Sequence, residues 1–282
     1  MSFASRIGIV FAKKWIGGIT ISDALRESEK LNVVGEKVII NYLGEELTDS
    51  AKVRKTVNMY IEILKDMESD GVQGSIAVKP TQLGLNINYR TFFSNYEKIA
   101  DCADGIGMFV WMDMEDYMTV DSSIKAYISL LKKHKNLGIC IQAKLIRSLD
   151  DIMLICKNKG VVRLVKGAYR ARDHITYSQK SEVDRNYLRC MGYLFKNSAK
   201  FMVATHDSRI IDIAKDMEKR YHKKVMFGML KGIRQKLAQE LVSEHEDMHI
   251  YMPFGEEWLN YSARRLKELE HSVLIIRSII SG

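Results

Sequence analysis

Proline is nearly absent, with two residues in 282, and the 18 glycines follow no period. The chain therefore cannot be collagen-like, a proline-rich spacer or a low-complexity polymer. Cysteine is sparse too: Cys102, Cys140, Cys156 and Cys190 lie far apart and form no C-x-x-C pair. That excludes a disulfide scaffold and reads as reduced, mostly buried thiols of a cytosolic protein. No apolar run approaches the roughly 18–20 residues of a membrane-spanning helix. The stretch 7–12 is short, runs into Lys13-Lys14-Trp15 and makes a poor signal peptide. No block of five basic residues occurs either, although 43 Lys and Arg outnumber 35 Asp and Glu to give +8. Scattered in this way, the excess reads as a solvated surface, though such charge can also serve nucleic acid, an anionic membrane or an acidic small ligand. With 46% hydrophobic residues the chain has ample core and needs no metal staple.

From about residue 38 a short β-branched run alternates with an amphipathic segment. The strand candidates are 38–43, 75–78, 107–112, 137–142, 161–165, 201–205, 225–229 and 249–252. Between them apolar residues return at helical spacing, as in Val53, Val57, Ile61 and Leu64, and then over 90–103, 120–134, 149–158, 182–197, 208–221, 232–243 and 256–270. Cap residues stand at Thr48-Asp49-Ser50, at 119–123 and at Ser208, while Ser22-Asp23 would cap an extra N-terminal helix ending at Leu31. Single strands alternating with helices need crossover connections, so the sheet should be parallel. Eight β/α units predict a closed barrel, with an open doubly wound sheet as the second choice. No linker or internal repeat divides the chain, which is read as one domain over 1–282: a helical extension (1–36), the barrel (37–270) and a helical tail (271–282).

Barrel chemistry sits at the C-terminal ends of the strands. Those ends carry Glu45-Glu46, Lys79, Asp113 with Glu115, Gln142 with Lys144, Lys166-Gly167-Ala168-Tyr169, Thr205-His206-Asp207, Leu230-Lys231 and Tyr251. All eight offer a polar group, which reads as a site around one opening. His245-Glu246-Asp247-Met248-His249 matches the metalloprotease pattern H-E-x-x-H, but its second histidine opens an apolar strand, so it is read as a loop and no metal is expected. Arg163 and Lys166 lie in a strand that otherwise looks buried; internal salt bridges could compensate them, and a phosphate- or carboxylate-bearing ligand is the better reading. Lys79 has three readings: a surface lysine, a Schiff-base lysine, or one arm of an ion pair with Asp113. Arg264 and Arg265 flank Glu268 at helical spacing; one glutamate cannot satisfy two guanidinium forks, so a spare fork could bind a carboxylate.

Together the segments NYLGEELTD (41–49), VKPTQLGL (78–85), FVWMDME (109–115), LGICIQA (137–143), VRLVKGAY (162–169), ATHD (204–207), FGMLKG (227–232) and YMPFGEEWLNYSARRLKE (251–268) resemble the proline dehydrogenase family, in order and over essentially the whole chain. The resemblance implies a distorted (β/α)8 TIM barrel with its eighth helix over the mouth. It implies FAD-dependent oxidation of L-proline to Δ1-pyrroline-5-carboxylate by hydride transfer to flavin N5. Carried over by motif position, Arg264 and Arg265 would bind the substrate carboxylate, and Lys79, Asp113, Tyr251 and Glu268 would complete the catalytic site. Glu45, Tyr169 and Leu230 would line the pocket, Glu45 pairing with Arg264 as a lid. Gln142, Arg163, Val165, Lys166, Gly167, Thr205 and His206 would hold FAD. The family also implies a membrane quinone as electron acceptor, a cytoplasmic protein with peripheral contact on the inner face of the membrane, and a pyrroline-5-carboxylate dehydrogenase as partner, with no role for nucleic acid.

Three departures from the family pattern stand out: Asp207 where Asn is usual, Gly228 where Gln is common, and a last segment (272–280) without the expected Asn-Phe. Two rival functions are a flavin barrel acting on 4-hydroxyproline, which the bulk of Tyr251 opposes, and a basic protein that binds without catalysis.

Overall fold

The computed structural model describes residues 14–167, 173–259 and 261. Eight parallel strands close into a barrel in chain order. They are β1 (Lys37–Tyr42), β2 (Gly74–Val78), β3 (Phe109–Met112), β4 (Leu137–Gln142), β5 (Val161–Val165), β6 (Phe201–Ala204), β7 (Met226–Leu230) and β8 (Asp247–Phe254). Closure comes from β1 lying parallel to β8, with Lys37 opposite His249 and Ile39 opposite Tyr251. The described helices are α1 (Ile21–Val33), α2 (Ser50–Ser69), α3 (Tyr89–Gly105), α4 (Val120–Leu130), α5 (Ser148–Lys157), α6 (Lys180–Asn197), α7 (Ser208–Tyr221) and α8 (Gln235–Ser243). A strand covered on both faces needs apolar side chains on both, and β4, buried at all six positions, meets that demand.

The expected strands are all present, and the main differences lie at helix starts. The cap of α1 is Thr20, whose hydroxyl accepts from Asp23 N–H at 3.1 Å while the Asp23 carboxylate accepts from Thr20 N–H at 3.2 Å. Ser22-Asp23 therefore falls inside the first turn. Asp207, not Ser208, caps α7, accepting from Arg209 N–H at 3.2 Å. α8 begins at Gln235 rather than near 232, because Arg234 adopts a left-handed conformation (φ 53°) that no helix interior tolerates. α4 ends at Leu130, four residues early. The expected helix 256–270 and the tail lie largely outside the described residues.

Two apolar layers result. The outer one, between helices and strands, buries Tyr60, Phe92, Tyr96, Tyr127, Tyr187 and Phe195 against Ile40, Val110, Ile139 and Leu164. The inner one fills the barrel with Ile39, Ala77, Trp111, Met202 and Met226. α1 packs outside β1 and β8. A smaller cluster of Trp15, Ile16, Leu43, Ile233, Trp258 and Tyr261 joins the chain before α1 to the loops after β1, β7 and β8. The polar side chains of the next section occupy the same end of the barrel.

Candidate active site

Asp113 is the hub. It follows β3, and its N–H donates to Val78 O at 2.8 Å, extending the β2–β3 ladder by one residue and fixing where its carboxylate points. Three groups from three other strands converge on it. Lys79 Nζ, just beyond β2, lies 3.3 Å from Oδ2. The Tyr251 hydroxyl, from β8, donates to the same oxygen at 2.7 Å. Arg163 Nη2, from β5, donates to Oδ1. Asp113, Arg163 and Lys79 are all buried. Burial alone would push the Asp113 carboxyl up; Arg163, Lys79 and the Tyr251 hydrogen bond outweigh it and hold the group below the usual carboxylate range. Burial and the neighbouring Asp113 charge push the Tyr251 phenol up, so it stays a donor.

Of the three readings of Lys79, the ion pair is the one observed. Its ammonium also lies 3.6 Å from Glu45 Oε1, and two carboxylates favour the charged form over the free amine that Schiff-base chemistry requires. Glu115, two residues beyond Asp113, accepts from Thr81 N–H at 2.9 Å and from the Thr81 hydroxyl at 2.7 Å. It thereby anchors the loop that carries Lys79. Gln142 Nε2 donates to Glu115 O at 2.8 Å and ties the end of β4 into the same frame.

On the β5–β6 side Arg163 and Lys166 both have carboxylate partners within the chain, the internal salt bridges that were one of the two readings of these cations. Lys166 Nζ lies 2.5 Å from Asp184 and 3.0 Å from Asp207, and Lys180 and Arg209 approach the same two acids. Asp207, the departure from the family's Asn, thus supplies a counter-ion as well as a helix cap; burial raises its carboxyl, but Arg209 and Lys166 hold it well below normal. Gly228 has a similar local explanation: a Cβ there would stand 2.8 Å from Met202 Sδ, so methionine occupies the space a longer side chain would need.

Gly167 has φ +105°, and a Cβ on it would approach Gln142 Oε1 to 2.9 Å, so its surroundings require glycine here. Val165 O accepts from Ala143 N–H at 2.8 Å. Thr205 Oγ1 accepts from Asp207 N–H at 3.1 Å, and His206 Nε2 accepts from Leu230 N–H at 3.2 Å. Leu230 itself packs against the small cluster at the barrel end. Tyr169, Arg264, Arg265 and Glu268 lie outside the described residues. His245 and His249 share no helix: one is in the turn after α8, the other within β8. Among the described residues no group of three or more His, Cys, Asp or Glu could hold a metal ion.

Sequence reading passed over Trp111 and Asp184 as site residues, and placed Glu115 in the ring of polar strand ends without giving it a role. Trp111 carried a usable signal, since its position two residues before Asp113 places both on the inward face of β3. Asp184 carried only a helical i,i+4 relation to Lys180, which is common on exposed faces.

Comparison with known proteins is consistent with this arrangement. The family model for proline dehydrogenase matches residues 24–272. Proline dehydrogenase 2 of Bacillus subtilis is 30% identical over 262 residues, 92% of this chain and 86% of that protein. Proline dehydrogenase of Deinococcus radiodurans is 27% identical over 280 residues, 96% of this chain and 90% of its own. Among solved structures, proline utilization A of Bdellovibrio bacteriovorus, inactivated by N-propargylglycine, superposes with a TM-score of 0.85 at 23% identity, covering 92% of this chain and 32% of that one, a likeness of fold. The parallel barrel with its ring of polar strand ends thus belongs to a member of the proline dehydrogenase family, an oxidoreductase acting on the CH–NH group of its donor.

Proposed function

We propose that this chain oxidises L-proline to Δ1-pyrroline-5-carboxylate with FAD as its cofactor, as a single dehydrogenase barrel. The observation that carries the reading is the Arg163 guanidinium: it is buried, and its Nη1 has no hydrogen-bond partner. A buried donor left open is costly, and an electron-rich ring edge or a phosphate would satisfy it. The residues around it fit such a group. Lys166, just beyond β5, clusters with Lys180 and Arg209 against Asp184 and Asp207, three cations to two carboxylates, so the end of the strand that carries Arg163 keeps one net positive charge. Gln142, Arg163, Val165, Lys166, Gly167, Thr205 and His206 would hold the cofactor. When bound, FAD supplies the hydride acceptor at N5.

The chain's own task is orientation and charge control. The substrate amine must be neutral when hydride leaves. Asp113 is a poor base for that proton, because three donors hold its carboxyl in the ionised form. It acts as the counter-ion that fixes Lys79, Arg163 and Tyr251 around one opening. In this reading Arg264 and Arg265 bind the substrate carboxylate, Glu268 completes the site, and Tyr169 and Leu230 are among its walls.

The acceptor we propose is a membrane quinone, reached by peripheral docking on the cytoplasmic face, with a pyrroline-5-carboxylate dehydrogenase consuming the product. Support comes from the family resemblance and from the +8 charge, which an anionic leaflet attracts. No helix among the described residues is long and apolar enough to cross a membrane.

The visible spectrum of the purified protein, recorded anaerobically before and after L-proline, tests the reading. Flavin bands that bleach on addition are expected. A colourless protein that gains no bands with added FAD, or bands that proline leaves unchanged, would refute it.

A further inference from the structure

Arg163 is held in an unusual way for a buried cation. Its carboxylate partner, Asp113, reaches only one side of the guanidinium, and Nη1 makes no hydrogen bond. The Cys140 thiol, its register neighbour on β4, is only a weak hydrogen-bond partner, so the fork can still pivot about the Asp113 bond. Two aromatic rings oppose the pivoting: the guanidinium carbon lies 5.5 Å from the ring centre of Trp111 and 5.3 Å from that of Tyr251. Tyr251 already has a role through its hydroxyl; Trp111 has none in the site as described above. Its ring is 1% exposed and lies 4.8 Å from the ring of Phe109. The indole is also given its space by the next strand. Gly138, directly opposite Trp111 in the β3–β4 register, would place a Cβ 2.4 Å from Trp111 Cζ3, so any side chain there moves the ring.

We propose that Trp111 is a positioning residue: seated in the space left by Gly138, its π face sets the orientation of the Arg163 guanidinium at the cofactor end of the barrel. Cation–π attraction is strongest where water is excluded, as it is here. The inference rests on the flavin reading, since the purpose of a fixed guanidinium is to stabilise the reduced, anionic ring.

The test is the flavin midpoint potential of the holoenzyme in four variants. Trp111→Leu removes the π face. Gly138→Ala keeps the indole but displaces it. Trp111→Phe keeps a π face. Met226→Leu disturbs the same apolar cluster and removes no ring. A tenfold loss of preference for the reduced flavin, about 30 mV to more negative potential for a two-electron couple, is expected in Trp111→Leu and Gly138→Ala. Trp111→Phe should stay close to wild type, and Met226→Leu should not move. Gly138→Ala carries the test if Trp111→Leu does not fold. A wild-type potential in both displacing variants, or an equal shift in Met226→Leu, would overturn the proposal while leaving a flavin-containing wild type intact. A wild type without flavin would overturn both readings.

Discussion

Replacing Glu36 by glutamine should stabilise the protein above pH 6 and leave it unchanged in acid. Glu36 sits in the turn between α1 and β1 and is 1% exposed, yet neither carboxylate oxygen has a hydrogen-bond partner. It is one wall of a cavity of about 140 Å³ between α1 and α8, together with Leu31, Ala238 and Ile250. The cavity also holds Lys231, paired with Glu27 at 3.2 Å, and Glu27 pairs with Lys30 as well at 3.1 Å. Burial raises the Glu36 carboxyl from 4.5 to about 6. With the folded value above the unfolded one, the folded state binds the extra proton. Its contribution is complete below pH 4.5 and is lost as pH rises through about 6. The rise from 4.5 to about 6 corresponds to about 2 kcal/mol at neutral pH. Glutamine mimics the protonated form at every pH, so the variant should exceed wild type by that amount at pH 8 and match it at pH 4. For a chain of this size that is a rise of about 4–8 °C in Tm. Thermal melts of both proteins across pH 4–8 measure it, and other titrating groups cancel in the difference. A Tm difference that does not grow between pH 4.5 and 7 would show that Glu36 has a counter-ion or a hydrating water in solution, and the argument from its isolation would fail.

Asp113→Asn leaves the Arg163 cation buried without its counter-charge; a loss of about 3–5 kcal/mol in urea denaturation is expected, with flavin occupancy falling alongside, and a variant as stable as wild type would remove Asp113 from its place as hub. Tyr251→Ser should lower proline turnover and raise the kcat/KM ratio of 4-hydroxyproline to proline; an unchanged ratio would mean the ring does not contact Tyr251. Arg265→Met should cost one to two orders of magnitude in kcat/KM for proline, the worth of a charge-assisted bond of about 1.5–3 kcal/mol. Pyrrolidine, lacking the carboxylate, should be little affected, and equal losses for both substrates would mean the arginine does not bind the carboxylate.

The eight strands and most helices were legible because their signals are local. A β-branched run such as 137–142 declares a strand covered on both faces without reference to anything distant. The same holds for the strand ends, since a polar residue closing an apolar run is visible from its neighbours. Cap choice was less legible: Thr20 and Ser22 are both good caps, and only the reciprocal bonding with Asp23 separates them. The Lys79–Asp113 pair was within reach, because adjacent strands in a barrel bring adjacent ends together.

The electrostatic partners were not. The Arg163–Asp113 pair spans 50 residues and Lys166–Asp207 spans 41. From the chain alone, two buried cations demanded anions, and a ligand was a better reading than an aspartate from another strand. Strand register decides between them. It places Arg163 beside Cys140 on β4, with Asp113 one strand further round, and so turns an unpaired charge into a shared one. The indole of Trp111 is the sharper instance. Composition makes it one more core aromatic, and only closure of the barrel, with Gly138 opposite it, lays its face against the guanidinium. Periodicity and motif order depend on neighbours a few bonds apart, so they can be read in one dimension; which charge meets which ring depends on how eight strands stagger as they close.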